Sequence, residues 1–576
     1  MKQDNNSNLR IILAVAISFL FIVIYSYWQK PTQAPMQAST QESQHQTSGN
    51  ENTNGALASS SAPIASSSNN MPSSTQSPKA PLNGKSDDII ATIVSKDVQI
   101  DMDSLGRIAQ VYLKDKKFTA PRQEGFFDHI KRLFGFASRP QEKIDKLPLL
   151  GTDALRPLEV RFSDVSVNNE AFTQAYVASK DKIELGGTPQ TLVLTQKLKS
   201  LTIKKIITFY PNLKYDIKIE LDRPDLPYVI TNGSRPVADA DGYAFHGVLL
   251  ETNDDKIEKV EDKDAKTAEQ YNGAKFIASV DRYYTSLFFT QSPKGFDAII
   301  DSQSGTNNPL PFVSLSGNAE IEGYIGPKNY QELKQIYPIL TDVVEYGIIT
   351  FFAKPVFLLL DFLHTYIGNW GWSIILLTLI VRIILYPLSY KGMVSMQKLK
   401  DLAPKMKEIQ EKYKGDPQKL QQHMMGLYKK NGANPMGGCL PLLLQIPVFF
   451  AIYRVLYNAV ELKSAGWILW INDLSVMDPY FVLPLLMGVS MYMHQVLTPS
   501  TITDPTQAKI FKLLPVFFTI FLITFPAGLV LYWTVNNIFS IIQQLMINRM
   551  LDRKKALEIE EHKSQHHHLE KNSEKK

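Results

Sequence analysis

Apolar residues along this 576-residue chain are gathered into blocks rather than spread evenly. Six runs stand out: Ile11–Trp28, Trp370–Leu388, Leu440–Val460, Tyr480–Leu497, Ile510–Phe525 and Ala527–Ile547. A helical bilayer crossing needs about 20 mostly apolar residues. The blocks therefore predict a polytopic α-helical membrane protein with six transmembrane helices. The first block, within residues 1–29, ends in Tyr25, Tyr27 and Trp28, an aromatic belt that suits a retained anchor better than a cleaved signal peptide. Residues 30–86 are rich in Ser, Gln, Asn, Thr and Pro and nearly free of large apolar side chains. Such a segment cannot bury enough surface to offset its ordering entropy and reads as a disordered tether. Residues 87–335 switch to short alternating runs, among them Ile89–Val94, Leu192–Thr195, Lys204–Tyr210 and Tyr215–Leu221. With turn signals such as Asn232-Gly233 and no long helical stripe, this period-two pattern predicts an antiparallel β-sandwich, read as a scaffold or binding domain.

The stretch 341–364 is apolar but broken by Glu345, Lys354, Pro355 and Asp361, so by pattern it could cross the membrane or lie on it. Charge chooses between these. The segment Ser389–Gly438 carries ten lysines against four acidic residues, which the positive-inside rule assigns to the cytoplasm. If 341–364 crossed, this basic loop would share a side with the β domain. An interfacial amphipathic helix at the outer surface avoids that conflict. Both termini are then cytoplasmic, the β domain lies outside, and residues 369–548 hold five spans. The loop 390–436 reads as a helical hairpin. Met393, Met396, Leu399 and Leu402 precede Pro404, and Met406, Ile409 and Tyr413 lead to a Gly415-Asp416-Pro417 turn. Leu420, Met424, Leu427 and Tyr428 then form the returning face. Met-rich surfaces adapt to many apolar partners, so Met406, Ile409, Met424 and Leu427 are candidates for capturing a nascent apolar chain. The lysine face reads as solvated. The cytoplasmic tail 549–576 has eight basic residues against six acidic ones plus His566-His567-His568, again a solvated segment rather than a metal site. The single cysteine, Cys439, precludes an intramolecular disulfide and is expected to pack as a small apolar residue.

One charge interrupts the spans. Arg382 lies inside Trp370–Leu388; a guanidinium stays charged in proteins, and placing it near a bilayer centre costs about 2.5–3.5 kcal/mol. Two readings follow from position: a polar, water-filled cavity, or snorkelling to an interface roughly 9 Å away at helical rise. Thr378 sits one turn away, and Gln445, Ser490, Gln495, Thr519, Thr534, Asn536 and Asn537 occupy other spans. Singly these are helix-packing groups; together with one arginine they suggest a hydrated chamber. No Asp or Glu lies deep in the five C-terminal spans to neutralise Arg382, so a substrate could bring the counter-charge. Pro441, Pro447, Pro484, Pro515 and Pro526 interrupt or bound the spans, and short spans thin the bilayer locally. The chain lacks His-Glu-x-x-His, Gly-x-Ser-x-Gly, a Walker loop and paired membrane carboxylates. No catalytic residues, cofactor, metal or nucleic-acid site are expected. A channel or secondary transporter remains a second class, although the inverted repeats it calls for are not evident.

The motifs Gly368-Asn369-Trp370-Gly371-Trp372-Ser373, Val381-Arg382 and Tyr386-Pro387-Leu388 resemble the YidC membrane protein insertases. So do Asn434-Pro435-Met436-Gly437-Gly438-Cys439, Trp470-Ile471-Asn472-Asp473-Leu474, Asp478-Pro479-Tyr480 and the run Phe525–Trp533. The outer β domain with Gly326-Pro327-Lys328 near its end extends the resemblance to the Gram-negative form, over nearly the whole chain. It implies a five-helix insertase core enclosing a hydrophilic groove open to cytoplasm and lipid. Arg382 and Thr378 match the groove arginine and threonine of the family. Tyr532 and Trp533 match substrate-contacting aromatics of the last span, Trp533 standing where a tyrosine is common; Gln445, Gln495 and Asn537 are taken as further groove residues. The implied function is insertion and folding of integral membrane proteins into the bacterial inner membrane, independently or with the Sec translocon. The alternatives are a chaperone acting only within the translocon, and the channel or transporter above. Expected partners are nascent membrane proteins, lipid, Sec subunits, and the ribosome through the hairpin and tail.

Overall fold

The computed structural model describes residues 78–79, 88–120, 144–152, 154–239, 244–344, 346–432, 440–498 and 505–573. The expected anchor 1–29, nearly all of the tether and Cys439 lie outside the described residues. From Ile89 to Pro327 the chain is β-rich, and the alternating runs become strands where expected. In Lys214–Leu221, for example, Tyr215, Ile217, Ile219 and Leu221 are buried on one face while Lys218 on the other is exposed. Among the described residues the strands form three sheets of five, nine and five. The nine-stranded sheet runs, edge to edge, through Ile257–Glu261, Gly247–Glu251, Phe276–Val280, Tyr284–Phe289, Ala319–Pro327, Lys214–Leu221, Thr202–Phe209, Gln190–Lys197 and Val177–Ala178. Its register places Ile217 between Ile207 and Ile321, so branched side chains stack across three strands. One large apolar core draws side chains from all three sheets, among them Ile93, Phe162, Ile217, Phe288 and Val313. The expectation of purely antiparallel pairing needs one correction, because Ile89–Val94 pairs in parallel with Lys182–Glu184. The expected Asn232-Gly233 turn is also different. Asn232 is buried, its amide donating to Ser279 Oγ and the Ser286 carbonyl, so it ties a loop to two strands.

The strands Phe276–Val280 and Tyr284–Phe289 are buried on both faces. Ile277, Tyr284 and Phe288 belong to the β core, whereas Phe276, Ala278, Val280, Leu287 and Phe289 join a second cluster. That cluster continues through Tyr330, Leu333, Leu340 and Val343 into the helical region. A continuous apolar surface therefore links the sheet to the helices.

Among the described residues seven helices follow Val343: α1 Thr350–Ile367, α2 Trp370–Lys412, α3 Pro417–Lys430, α4 Leu440–Asn458, α5 Val482–Leu497, α6 Pro505–Leu522 and α7 Ala527–Ser573. Among the described residues α1 and α2 are long and apolar enough to cross a membrane, and Val482–Leu497 and Phe511–Leu522 are shorter apolar helices. The expected helix at 341–364 starts late: Pro338–Val343 and Gly347–Ile349 are 3-10 turns, and regular helix begins at Thr350. α1 buries Ala353, Phe357, Leu360 and Leu363 against the protein while Phe351, Phe362 and Tyr366 stay exposed. α2 is one 43-residue helix that contains Pro387 and Pro404. At 1.5 Å per residue it is about 64 Å long, twice the hydrocarbon thickness. The first arm of the hairpin is thus an extension of the span, and Pro404 does not divide it. α7 likewise carries the tail as continuous helix to Ser573.

Candidate functional site

Arg382 projects from α2 toward α7. Three α7 residues spaced one turn apart, Tyr532, Asn536 and Ser540, form a stripe that meets it. Arg382 Nε donates to Asn536 Oδ1 at 2.9 Å, and its Nη2 donates to the Asn536 carbonyl at 3.1 Å and to Ser540 Oγ. The Ser540 hydroxyl in turn donates to the Asn536 carbonyl at 2.7 Å. All of these acceptors are neutral, and among the described residues no carboxylate forms an ion pair with Arg382. Beside the guanidinium lies a narrow cleft, with about 10 Å³ of water-accessible space, room for about one water; it is lined by Val381, Arg382, Leu385, Leu388, Ser389, Gln445, Val448, Tyr532 and Asn536. Arg382, Gln445 of α4, Asn536 and the hydroxyl-bearing Ser389 and Tyr532 thus share the cleft with Val381, Leu385, Leu388 and Val448. Hydrogen bonds to a charged donor are worth about 1.5–3 kcal/mol each, so this set can hold the charge without a counter-ion.

Of the candidates, Arg382, Gln445 and Tyr532 share the cleft. Thr378 is buried beside it and spends its hydroxyl on its own helix, donating to the Ile374 carbonyl at 2.7 Å. Thr519 and Thr534 do the same toward Pro515 and Val530, the back-bonding that hydroxyls adopt within apolar helices. Trp533 packs 4.8 Å from the Phe449 ring and 6.1 Å from Phe518, an aromatic wall behind Tyr532. Gln495 and Asn537 are not among the cleft-lining residues. Gln495 donates to the Phe511 carbonyl, and Asn537 donates to Ser490 Oγ at 3.3 Å across the α5–α7 contact. Ser540 was not singled out in the sequence; its signal was its place in the stripe with Tyr532 and Asn536.

In the hairpin, Leu399, Leu402 and Met406 of α2 form a small core with Met396, and with Met424, Leu427 and Tyr428 of α3 packed against it. Tyr428 Oη reaches Met406 Sδ at 4.0 Å. Met406, Met424 and Leu427 therefore face one another, Ile409 is half-buried nearby, and Met425 is exposed.

At the opposite end of the bundle the loops are tied together by backbone and side-chain hydrogen bonds, beside a pocket of about 320 Å³ lined by Arg282, Tyr457, Ser475, Val476, Met477, Thr524, Phe525 and Pro526. Ala527 N–H donates to the Val476 carbonyl at 2.7 Å and Gly528 N–H to the Leu474 carbonyl at 2.9 Å. Buried Asp478 accepts the indole N–H of Trp470 at 3.0 Å, the Tyr480 amide at 3.0 Å and the Leu483 amide at 2.7 Å, capping the start of α5. A Cβ at Gly371 would lie 2.2 Å from the Trp467 ring, so only glycine lets α2 approach that loop. The β domain docks at this same end: Arg282 Nε donates to the Tyr457 carbonyl at 3.0 Å, and Tyr330 N–H to Glu461 Oε1 at 3.0 Å. The hairpin and the β domain thus occupy opposite ends of α2.

The family model described as 60Kd inner membrane protein matches residues 362–555, and that of the YidC periplasmic domain matches residues 160–359. A membrane protein insertase YidC of Helicobacter pylori is 60% identical over 559 residues, covering 96% of this chain and 98% of its own. The chain belongs to the YidC membrane protein insertase family. A second YidC, from Campylobacter jejuni, is 48% identical and covers 95% of this chain and 98% of its own. A crystal structure of an active YidC insertase with its first transmembrane domain resolved is 20% identical, covers 80% of this chain and 94% of that one, and has a TM-score of 0.34; the assignment rests on the sequence relatives. The family places this chain in an inner membrane with a β-rich periplasmic domain. The motifs Trp470–Leu474 and Asp478–Tyr480 find a physical role in the loop hydrogen bonds just described.

Proposed function

We propose that the chain inserts and folds integral membrane proteins, using the cleft at Arg382 to draw the polar tail of a client into the bilayer. The observation that carries this is a charged guanidinium in a membrane helix that, among the described residues, is held only by neutral acceptors and faces a cleft. Client capture begins at the hairpin. Because Met406, Met424 and Leu427 pack on each other, capture means that a client segment replaces one apolar partner with another. The tail then enters the cleft, its carboxylates favoured by Arg382, and the apolar part moves into lipid. The membrane potential adds about 2.3 kcal/mol per charge per 100 mV. Burial of apolar segments drives the reaction, so no nucleotide is needed.

In the proposed topology α1 lies at the outer interface and does not cross; its apolar exposed face and the placement of β domain and hairpin at opposite ends of α2 support it. Both termini are cytoplasmic, and an anchor within residues 1–29 completes six spans. Sec translocon subunits and, through the basic hairpin and tail, the ribosome are the proposed partners.

The test is protease protection of a small single-span client with an acidic tail, offered to liposomes with and without the purified protein. Protein-dependent protection without nucleotide is expected. Equal protection in empty liposomes would refute autonomous insertion.

A further inference from the structure

The end of the tether is seated on the β domain by two side chains that are themselves fixed. Among the described residues the strand Val160–Phe162 is the outermost of its five-stranded sheet and pairs only with Pro227–Ile230. Beside it, in the short helix Val165–Ala171, Asn168 is 4% exposed. Its Oδ1 accepts the Phe162 N–H at 3.0 Å and its Nδ2 donates to the Lys79 carbonyl at 3.0 Å. The carboxamide acts as one peptide group interposed between the sheet edge and a docked chain. Arg161 is held as firmly. Its Nε and Nη2 engage Glu159 Oε1 at 2.8 Å and its guanidinium lies 4.8 Å from the Phe312 ring, while Nη1 donates to the Pro78 carbonyl at 3.2 Å.

Both bonds go to consecutive backbone carbonyls, which every residue possesses. Position 78 is proline, which has no N–H to satisfy. Recognition of this kind is indifferent to side chains, and donors locked by their other contacts lose little freedom on binding. We propose that this edge is an extended-peptide site, filled here by the chain's own Pro78–Lys79, and that its exchange partner is the extended outer segment of an inserting client. The partner assignment rests on the insertase reading, and three observations favour it. Carbonyl recognition suits clients of unrelated sequence. The site lies on the domain at the end of the bundle away from the hairpin, where a tail emerges. Among the described residues two hydrogen bonds hold the cis occupant, few enough for exchange, its advantage being the effective concentration a tether confers.

The test uses the full chain in proteoliposomes with residues 74–82 deleted to vacate the site. A fluorescent peptide of the deleted sequence is titrated by anisotropy. Asn168→Asp keeps the acceptor for Phe162 but removes the donor; losing one net hydrogen bond should weaken binding about three- to tenfold. Arg161→Gln probes the second anchor independently, and a thermal melt checks that each variant keeps the β domain folded. In the same vesicles a photocrosslinker at exposed Val165 is used while an acidic-tailed client inserts. Saturable binding weakened by Asn168→Asp, with crosslinks to the client tail, is the expected result. Binding with no client crosslinks while protease protection shows insertion would reduce the site to a clip for the tether and overturn the client. No saturable binding, or binding indifferent to both variants, overturns the site. Absence of client protection would instead count against the insertase reading, which the peptide titration does not depend on.

Discussion

Arg382 could matter because it attracts anionic tails or because it braces α2 against α7, and Asn536→Asp separates the two. Asn536 Oδ1 lies 2.9 Å from Arg382 Nε, so aspartate keeps the shape and the acceptor and adds one negative charge. At an effective dielectric near 20, opposite charges about 4 Å apart interact by about 4 kcal/mol. The brace is therefore strengthened, not lost. A client carboxylate passing about 8 Å from the guanidinium gains about 2 kcal/mol on the same footing. Expressed in the rate-limiting step, that is a factor of about 30. The new carboxylate opposes the gain by a similar amount. Asn536→Asp should then slow clients with acidic tails by up to about 30-fold, leave neutral tails nearly unchanged and favour basic ones. Arg382→Ala should slow acidic tails similarly, and Arg382→Lys should keep most of the rate. The assay is protease protection in proteoliposomes without an imposed potential, comparing tails that differ only in charge. If Asn536→Asp leaves the acidic-to-neutral ratio at the wild-type value while Arg382→Ala slows every tail equally, Arg382 is a brace and the attraction is refuted.

Three further outcomes are expected. Asp478→Ala removes the acceptor of the Trp470 indole and of the Tyr480 and Leu483 amides and should cost about 2–4 kcal/mol, read as a lower melting temperature in detergent; an unchanged melt would mean that Asp478 does not hold these loops together. Deleting Met406–Tyr428 should abolish crosslinking of ribosome-bound nascent chains to the protein, and normal crosslinking would refute capture by the hairpin. Burial pushes the Lys205 ammonium down to about 7, against the pull of Asp103 and Glu159. The unfolded chain then binds the extra proton between about pH 7 and 10, so the β domain should gain stability as pH rises through that window. Lys205→Met should flatten the slope, as followed by hydrogen exchange of its strands at pH 7, 8 and 9; an unaltered slope would mean Lys205 is not its source.

Much of this was legible in the residues, and the exceptions have physical causes. Period-two alternation located Ile89–Val94 and Lys214–Leu221 because each has one face in the core and one outside. It gave no sign of what lies against Phe276–Val280, since a strand covered on both faces reads as an unbroken apolar run. A proline inside a helix removes a hydrogen bond, yet α2 runs through Pro404, where the helix packs along its flank through Leu402 and Met406. At the cleft, the charge and the lack of a counter-ion were visible, but the list of polar partners was too generous. Thr378, Thr519 and Thr534 satisfy themselves on their own helices, which a sequence cannot distinguish from facing a groove.

The neutral character of the Arg382 cage bears directly on how such a site can work. A carboxylate would hold the guanidinium more tightly, but it would also cancel the field that reaches into the cleft. Three bonds to neutral acceptors, about 1.5–3 kcal/mol each in favourable settings, are comparable to the about 2.5–3.5 kcal/mol that placing the charge in a bilayer costs. The arginine can therefore be retained in the helix while its charge stays uncompensated. Those acceptors come from Asn536, through side chain and backbone, and from Ser540, whose hydroxyl also braces the Asn536 carbonyl. On the proposed reading, selectivity for acidic tails would belong to the α7 stripe as much as to Arg382. An arginine at the same depth facing an aspartate would give the same packing and none of the attraction.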